Sequence, residues 1–329
     1  MRAIQITEFG GPDKLSLTDL PEPTAGGELV VIDVVAAGVN FADIHQVSDT
    51  YLAPQRLPLV PGLEVVGRRR ADGARVVALT SSGGYAETAV AHPSTVFEVP
   101  DEVDDAQALA LVLQGTTAWH LLRTSTRMQQ GDSVVVHAAA GGVGSLAVQL
   151  ASHWGAGRVI ATASSDEKRE LAVDLGADVA VDVSACENAD DVTQLLLDAG
   201  DGAPADIVLE MTGGKVFDGS LAALAPFGRL ATYGGASGTP PTPVQPVNLM
   251  HGSRTVAGFW LVDALRLPGG LRTAMEELLS LTASGRLQPV LGGRYALEDA
   301  AVAHQDLAAR RTTGKLVLDV RSAVLGGSR

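Results

Sequence analysis

The chain has 329 residues, with Lys+Arg at 24 against Asp+Glu at 38 and a formal net charge of −14. A surface of that sign repels nucleic acid and anionic membranes, because a phosphate-binding footprint needs clustered positive charge. The length exceeds one ordinary core and predicts two domains; 46% hydrophobic content fills them, and 4% aromatics leave Ala, Val and Leu to do most of it.

Cys186 is the single cysteine, which excludes a disulfide framework and a cysteine-based zinc cage. The opening MRAIQITEFG has neither a basic n-region nor an apolar h-region, so no signal peptide is expected. No uncharged apolar run reaches membrane-spanning length. A reducing cytoplasm is the expected compartment.

The first third reads as strands. Residues 29–37, 65–66, 75–80 and 85–91 are short β-prone runs, punctuated by Gly26-Gly27, Pro61-Gly62, Asp72-Gly73 and Gly83-Gly84. Just after the first run, AAGVNFADIHQ (36–46) sets Asn40, Asp43 and His45 within six residues. Such close-set N and O groups suit a metal site, a set of proton-transfer groups, or a polar turn closing a strand. The basic run RRR (68–70) lies beside Asp72-Gly73 and reads as the solvated edge of a hairpin. Residues 104–123 carry apolar positions at helical spacing, broken once at Gly115.

From Ser133 a regular alternation sets in. SVVVHAA is a buried strand, GSLAVQLASHW a helix, RVIATA a second strand, and SDEKRELAVDLG a helix capped by Ser165. VAVDV, DDVTQLLLDAG, ADIVLEM, a helix near 217–224 and RLATYGG continue it. Alternation of this kind predicts a doubly wound parallel sheet covered by helices. TPPTPVQP, with four prolines in eight residues, reads as an exit loop. After it come an apolar strand TVAGFWLV (255–262), a helix LRTAMEELLSLTASG, a strand KLVLDV and a frayed tail RSAVLGGSR.

HAAAGGVGSLAVQ joins the first strand of that block to its first helix. Counting from Ala139, it reads A-x-G-x-x-G. Gly141 lets the backbone approach a pyrophosphate, and Gly144 lets the helix pack on the strand. The backbone of Gly141, Gly142, Val143 and Gly144 is then the expected phosphate cradle, at a helix end with unpaired N–H groups. Its place inside a βαβ unit is what gives the motif weight. At the end of the second strand, NAD sites usually present a carboxylate to the ribose. This chain presents Thr162, Ala163, Ser164 and Ser165, with Lys168 and Arg169 one turn on. Hydroxyls and cations in that place favour a 2′-phosphate, hence NADPH.

With the glycine turn in mid-chain, the segments GVNFAD (38–43), LPLVPGLEVVG (57–67), QGTTAW (114–119), HAAAGGVG (137–144), FGRLATYGGASG (227–238) and RRTTGKLVL (310–318) acquire a common context. Together they resemble the medium-chain dehydrogenase/reductase superfamily over roughly residues 1–320. The resemblance is nearest to its zinc-free quinone oxidoreductase branch, which includes zeta-crystallin. It implies an α/β fold with a GroES-like β-rich catalytic domain at 1–122, completed by 255–329, and a Rossmann NADP-binding domain at 123–254. In the zinc alcohol dehydrogenases of the superfamily a Cys stands at Asn40 and a His at Leu63, beside a Glu matching Glu64. An amide and an aliphatic side chain cannot hold catalytic zinc, so the resemblance answers the metal reading of AAGVNFADIHQ in the negative.

The same resemblance implies that Asn40 and Asp43 lie near the nicotinamide, Asn40 orienting the ring or a substrate oxygen. Tyr51 or His45 would deliver or relay a proton. A Tyr often stands at His45 in the family, so His45 is also read as a half-buried histidine bonded to backbone, and Asp43 as a turn-capping carboxylate. Thr117 matches a residue packed by the nicotinamide, and Tyr233-Gly234 a loop passing its carboxamide. Arg310 or Arg311 matches an Arg near the 2′-phosphate, while Val183 replaces a Tyr that often backs it. The expected activity is hydride transfer from NADPH to a quinone or activated enone. An enoyl-thioester reductase and a non-catalytic NADPH-binding protein are the alternatives. A homodimer is expected, joined through 255–262 as the edge strand of the nucleotide-binding sheet.

Overall fold

The structure, a computed structural model, describes residues 1–321; the expected fray of the last residues lies outside the described residues. The chain divides into two compact units, Met1–Leu113 with Gly269–Arg329, and Gln114–Pro268.

The first unit begins with β1 (Arg2–Gln5), paired antiparallel to β2 (Ser16–Asp19). Next come β3 (Val30–Val39), α1 (Phe41–Val47), β4 (Glu64–Arg69), β5 (Arg75–Leu79), β6 (Thr88–Ala91), β7 (Val96–Glu98) and α2 (Asp105–Ala110). The second unit runs through α3 (Thr116–His120), β8 (Ser133–Val136), α4 (Gly142–His153), β9 (Arg158–Thr162), α5 (Asp166–Asp174), β10 (Val179–Val181) and α6 (Ala189–Ala199). It continues with β11 (Ala205–Glu210), α7 (Gly214–Ala222), β12 (Leu224–Thr232), α8 (Pro246–Met250), β13 (Thr255–Gly258) and α9 (Leu261–Ala264). The chain then returns to the first unit with α10 (Arg272–Ala283), β14 (Leu291–Ala296), α11 (Ala300–Ala308) and β15 (Lys315–Asp319).

In the first unit the order β14-β15-β3-β4-β5-β7, with β6 also on β3, makes a seven-stranded sheet. It is antiparallel except for β14 on β15. Its core is aliphatic: Ile32, Val34, Val65, Leu316 and Leu318 are buried together around Tyr85. The expected basic edge is a web of ion pairs, with Arg69 on Asp72 and Glu98, and Arg70 on Glu22 and Asp33.

In the second unit a six-stranded sheet runs β10-β9-β8-β11-β12-β13, parallel throughout. Val135, Ile160, Val208 and Leu230 from its strands pack with Leu196 and Phe217 from the helices. The alternating pattern from Ser133 is realised strand by helix.

Three expectations are corrected. The boundaries expected at 122/123 and 254/255 fall at Leu113/Gln114 and Pro268/Gly269, because α3 packs on α4 and β13 pairs with β12 from Arg229↔Thr255 to Thr232↔Gly258. TVAGFWLV is a strand only over Thr255–Gly258. Beyond it the apolar side chains turn inward: the Phe259 ring stacks on His120 at 6.2 Å between centroids, and Leu261 opens α9 buried. The helix expected over 104–123 is interrupted by widened π turns at Leu111–Gly115 and Leu121–Ser125, which shift the register of its apolar face.

Candidate cofactor site and a buried polar cluster

β8 ends in a tight turn at Ala138, whose φ is +50°. Gly141 is the N-cap of α4, in extended conformation, and having no side chain it leaves the first-turn N–H groups uncapped. A Cβ on Gly144 would lie 2.3 Å from the Ala138 carbonyl oxygen and 2.8 Å from Ala139 Cα, so the helix meets the strand there in direct backbone contact. A Cβ on Gly141 would meet only the Ala138 oxygen, at 3.1 Å. The protein itself barely crowds Gly141. A backbone cradle open at its N-cap and closed behind it fits a dinucleotide pyrophosphate.

His137 pins the base of this turn. Its Nδ1 pairs with Thr162 Oγ1 at 2.9 Å and its Nε2 with Ser220 Oγ at 2.8 Å, tying β8 to β9 and α7. Burial pushes the imidazole down to about 4, so it is neutral. Past β9, Ser164 is exposed, and Ser165 caps α5 by accepting from the Lys168 N–H at 3.3 Å. Partial burial lowers the Lys168 ammonium. Arg169 is bound to Asp166, to the Ala163 carbonyl at 2.9 Å, and to Asp182 at 3.5 Å.

After β12, Tyr233 donates its backbone N–H to the Glu210 carbonyl at 3.0 Å, and burial next to Glu210 raises its phenol. Gly234 lies close to Met211, where a Cβ would meet Met211 Cβ at 3.2 Å. Thr117 is buried on α3. Glu210, which the sequence did not single out, ends β11 with Oε1 accepting from Thr212 N (2.6 Å) and Gly213 N (2.9 Å). Gly213 sits at φ +83°, so glycine suits the turn that Glu210 holds.

The first unit contains the AAGVNFADIHQ stretch, and here side chains dominate. Asn40, only 4% exposed, donates from Nδ2 to Glu64 Oε1 at 2.8 Å and accepts at Oδ1 from Lys315 Nζ at 3.1 Å. Lys315 and Glu64 are themselves a fully buried ion pair. Gly38 makes room for it: a Cβ there would fall 2.1 Å from Glu64 Oε1 and 2.6 Å from Lys315 Nζ. The Asn40 amide is therefore fixed at both ends by a buried charge pair.

Asp43 is buried and its Oδ2 accepts from the Asn40 backbone N–H (2.8 Å) and the Tyr85 hydroxyl (3.0 Å). Tyr85 also meets His304 Nε2 at 3.0 Å. Burial raises Asp43 to about 7, with the Glu64 charge adding to it; it raises the Tyr85 phenol well above its ordinary value and lowers His304 to about 4. With Asp43 ionised, Tyr85 spends its one proton on it, and its oxygen accepts from a neutral His304.

His45 is not brought to this cluster. Its Nδ1 pairs with Thr50 Oγ1 at 2.7 Å, and half-burial lowers its pKa. Its side-chain partner is thus a hydroxyl rather than the backbone. Tyr51 is half-buried in the bend after α1. Arg311 is bound to Asp306, and Arg310 is exposed beyond α11 with φ +56°. Among the described residues no group of three or more His, Cys, Asp or Glu could hold a metal ion, and no helix is long and apolar enough to cross a membrane.

Residues 142–283 match the zinc-binding dehydrogenase family. Over 331 residues the chain is 35% identical to a quinone oxidoreductase of Pseudomonas aeruginosa, covering 96% of this chain and 99% of that protein. A mycobacterial protein solved with NADPH aligns at a TM-score of 0.90 and 39% identity, over 97% of this chain and all of that one (100%). The quinone oxidoreductase of Thermus thermophilus, also solved with NADPH, gives 0.86 and 35%, over 97% and 100%. The chain belongs to the quinone oxidoreductase family within the medium-chain dehydrogenase/reductase superfamily.

Proposed function

We propose that the protein is an NADPH-dependent oxidoreductase that reduces a quinone or activated enone without a catalytic metal. The observation that carries this is the near-full-length relationship to quinone oxidoreductases, two of whose structural neighbours hold NADPH. Bound NADPH supplies a hydride from C4 of its nicotinamide. The backbone around 141–144 would hold the pyrophosphate, Ser164 and Lys168 the 2′-phosphate, and Thr117, Tyr233 and Gly234 the nicotinamide end. Asn40, immobilised by Glu64 and Lys315, would orient the acceptor oxygen or the ring. Asp43 acts through Asn40, whose N–H it holds, and is a positioning residue. Tyr51, or His45 whose Nδ1 is paired with the Thr50 hydroxyl, would deliver or relay the proton. Asn40 and the apolar, 6% exposed Leu63 at the superfamily's zinc positions support metal independence. Quinones and conjugated enones suit that absence, because hydride charge delocalises onto a distant oxygen without a Lewis acid.

The test is NADPH oxidation with 1,4-naphthoquinone, 9,10-phenanthrenequinone, an alkenal and crotonyl-CoA, with and without chelator, and with NADH in parallel. Quinone turnover that survives chelation and prefers NADPH is expected. Turnover with crotonyl-CoA alone would move the assignment to enoyl-thioester reduction, and tight NADPH binding without any turnover to a non-catalytic role.

Assembly as a homodimer belongs to the same reading. β13 is the end strand of its sheet, and Phe227 and Met250, 75% and 77% exposed, lie in the segments bordering it. An open strand edge with apolar neighbours suits pairing with a two-fold mate. Light scattering at micromolar concentration should give a dimer, and Ala257→Pro should dissociate it. A cytoplasmic location fits the single thiol of Cys186.

A further inference from the structure

Gly142, the first residue of α4, is crowded by neither backbone nor open space. A Cβ there would fall 2.1 Å from Oε1, 2.2 Å from Cδ and 2.4 Å from Nε2 of Gln114. The Gln114 carboxamide thus fills the volume that any other residue at 142 would need for its side chain. Gln114 is 8% exposed, so the amide is held against the helix end rather than waving in solvent. The three glycines of the turn answer to different neighbours: Gly144 to backbone, Gly141 to almost nothing within the protein, Gly142 to one polar side chain.

We propose that Gln114 is a further residue of the cofactor cradle, donating a carboxamide N–H to a pyrophosphate oxygen of bound NADPH. This rests on the NADPH reading above. The first turn of α4 gathers uncapped N–H groups where an anion is stabilised by donors and by the helix dipole. A neutral amide lying on that turn extends the same set of donors. It does so without a positive charge that the helix N-terminus would repel. Gly142 is then glycine because Gln114 must lie across it. The far end of a flexible side chain yields easily, so an alanine at 142 would spare the fold and displace only the amide. Alanine is also the better helix former.

The test uses full-length protein, with NADPH affinity by calorimetry and melting temperature of the cofactor-free protein measured side by side. Gln114→Ala should weaken NADPH ~10-fold or more, as for a lost hydrogen bond to a charged group. Gln114→Glu should weaken it further, because a carboxylate would face the phosphates. Gly142→Ala should match Gln114→Ala in affinity while leaving the cofactor-free melting temperature unchanged. The double variant should be no worse than either single one. Gln114→Ala or Gln114→Glu binding NADPH like the wild type would overturn the role of Gln114, as would losses that multiply in the double variant. Wild-type protein that binds no NADPH would instead overturn the cofactor reading itself, and this inference with it.

Discussion

Around Asn40 the polar groups are side chains. Two carboxylates, an amide, an ammonium, a phenol and an imidazole are buried, and the hydrogen bonds between them run from residue to residue across α1 and its N-cap, β4, β15, α11 and Tyr85. Around 141–144 the polar groups are mainly backbone N–H donors, at a turn with glycine at three of its four positions and the Gln114 carboxamide lying against it. The first arrangement gives fixed orientation and is exposed to loss of any single charge. The second gives close approach and is exposed to an added carbon where a neighbour already fills the space, backbone at Gly144 and the Gln114 amide at Gly142. A protein that must hold a polyanion and also orient a small acceptor has use for both.

The sharpest way to break this contrast is to remove a charge from the first region. Lys315→Met leaves the buried Glu64 carboxyl without its counter-charge, beside an Asn40 amide that has lost its partner at Oδ1. Breaking a buried pair from one side costs about 3–5 kcal/mol. Circular dichroism in urea should show that loss for the first unit, and Lys315→Met with Glu64→Leu should recover much of it. A single variant as stable as wild type would mean that the pair is not buried as described. Next in size is Asn40→Ala, which should lower quinone turnover ~10–100-fold by loosening an oriented group, with NADPH affinity retained because phosphate contacts are distant from the reacting carbon. Turnover unchanged with every acceptor would reduce AAGVNFADIHQ to a polar turn.

The second region should fail in the opposite manner. Gly144→Ala drives a Cβ into the Ala138 carbonyl, which is backbone and cannot step aside. Overpacking of this kind costs about 1–3 kcal/mol. All three tryptophans, Trp119, Trp154 and Trp260, lie in the second unit, so their fluorescence in urea reads that unit alone. Gly144→Ala should lower its midpoint where Gly142→Ala does not. Equal effects would show that the two glycines are not distinguished by backbone and side-chain neighbours.

The two regions also differed in how far the sequence disclosed them. The glycine turn was legible because strand, turn and helix follow one another within a few residues, and Ser165 capping α5 was legible for the same reason. The Asn40 cluster was half legible. Asn40 and Asp43 stood out locally, but Lys315 reaches Glu64 across 251 positions and His304 reaches Tyr85 across 219. No periodicity encodes such pairings. One signal was available: Lys315 heads the apolar run KLVLDV, and a lysine in a buried strand needs a counter-charge. Gly142 was read as part of the cradle, but its contact with Gln114 failed to show for a related reason, since nothing local in the sequence sets residue 114 beside residue 142. TVAGFWLV misled because an apolar run of eight residues fits a long strand and a strand followed by a buried turn equally well.

The smallest expected difference between the regions is in pH. In the second unit His137 stands between two hydroxyls, at about 4 when folded against an ordinary 6.5. Between those values the unfolded chain binds a proton that the folded one refuses, so stability falls as pH falls, by at most about 1.4 kcal/mol per pH unit for one group. In the first unit His304 acts in the same sense, but Asp43 opposes it: raised from 3.8 to about 7, it binds its proton when folded and favours the fold as pH falls. One proton refused and one proton accepted over the same range leave the Asn40 cluster nearly flat there. His137→Gln removes this one group, and comparison with wild type cancels shared groups such as Glu210, whose raised pKa works the other way, and His120, whose lowered pKa works the same way. Tryptophan-monitored urea midpoints between pH 6.5 and 4 should therefore slope less steeply in His137→Gln than in wild type. Identical slopes would mean that His137 takes up its proton in the folded state as readily as in the unfolded one, and that the clamp between Thr162 and Ser220 does not keep it neutral.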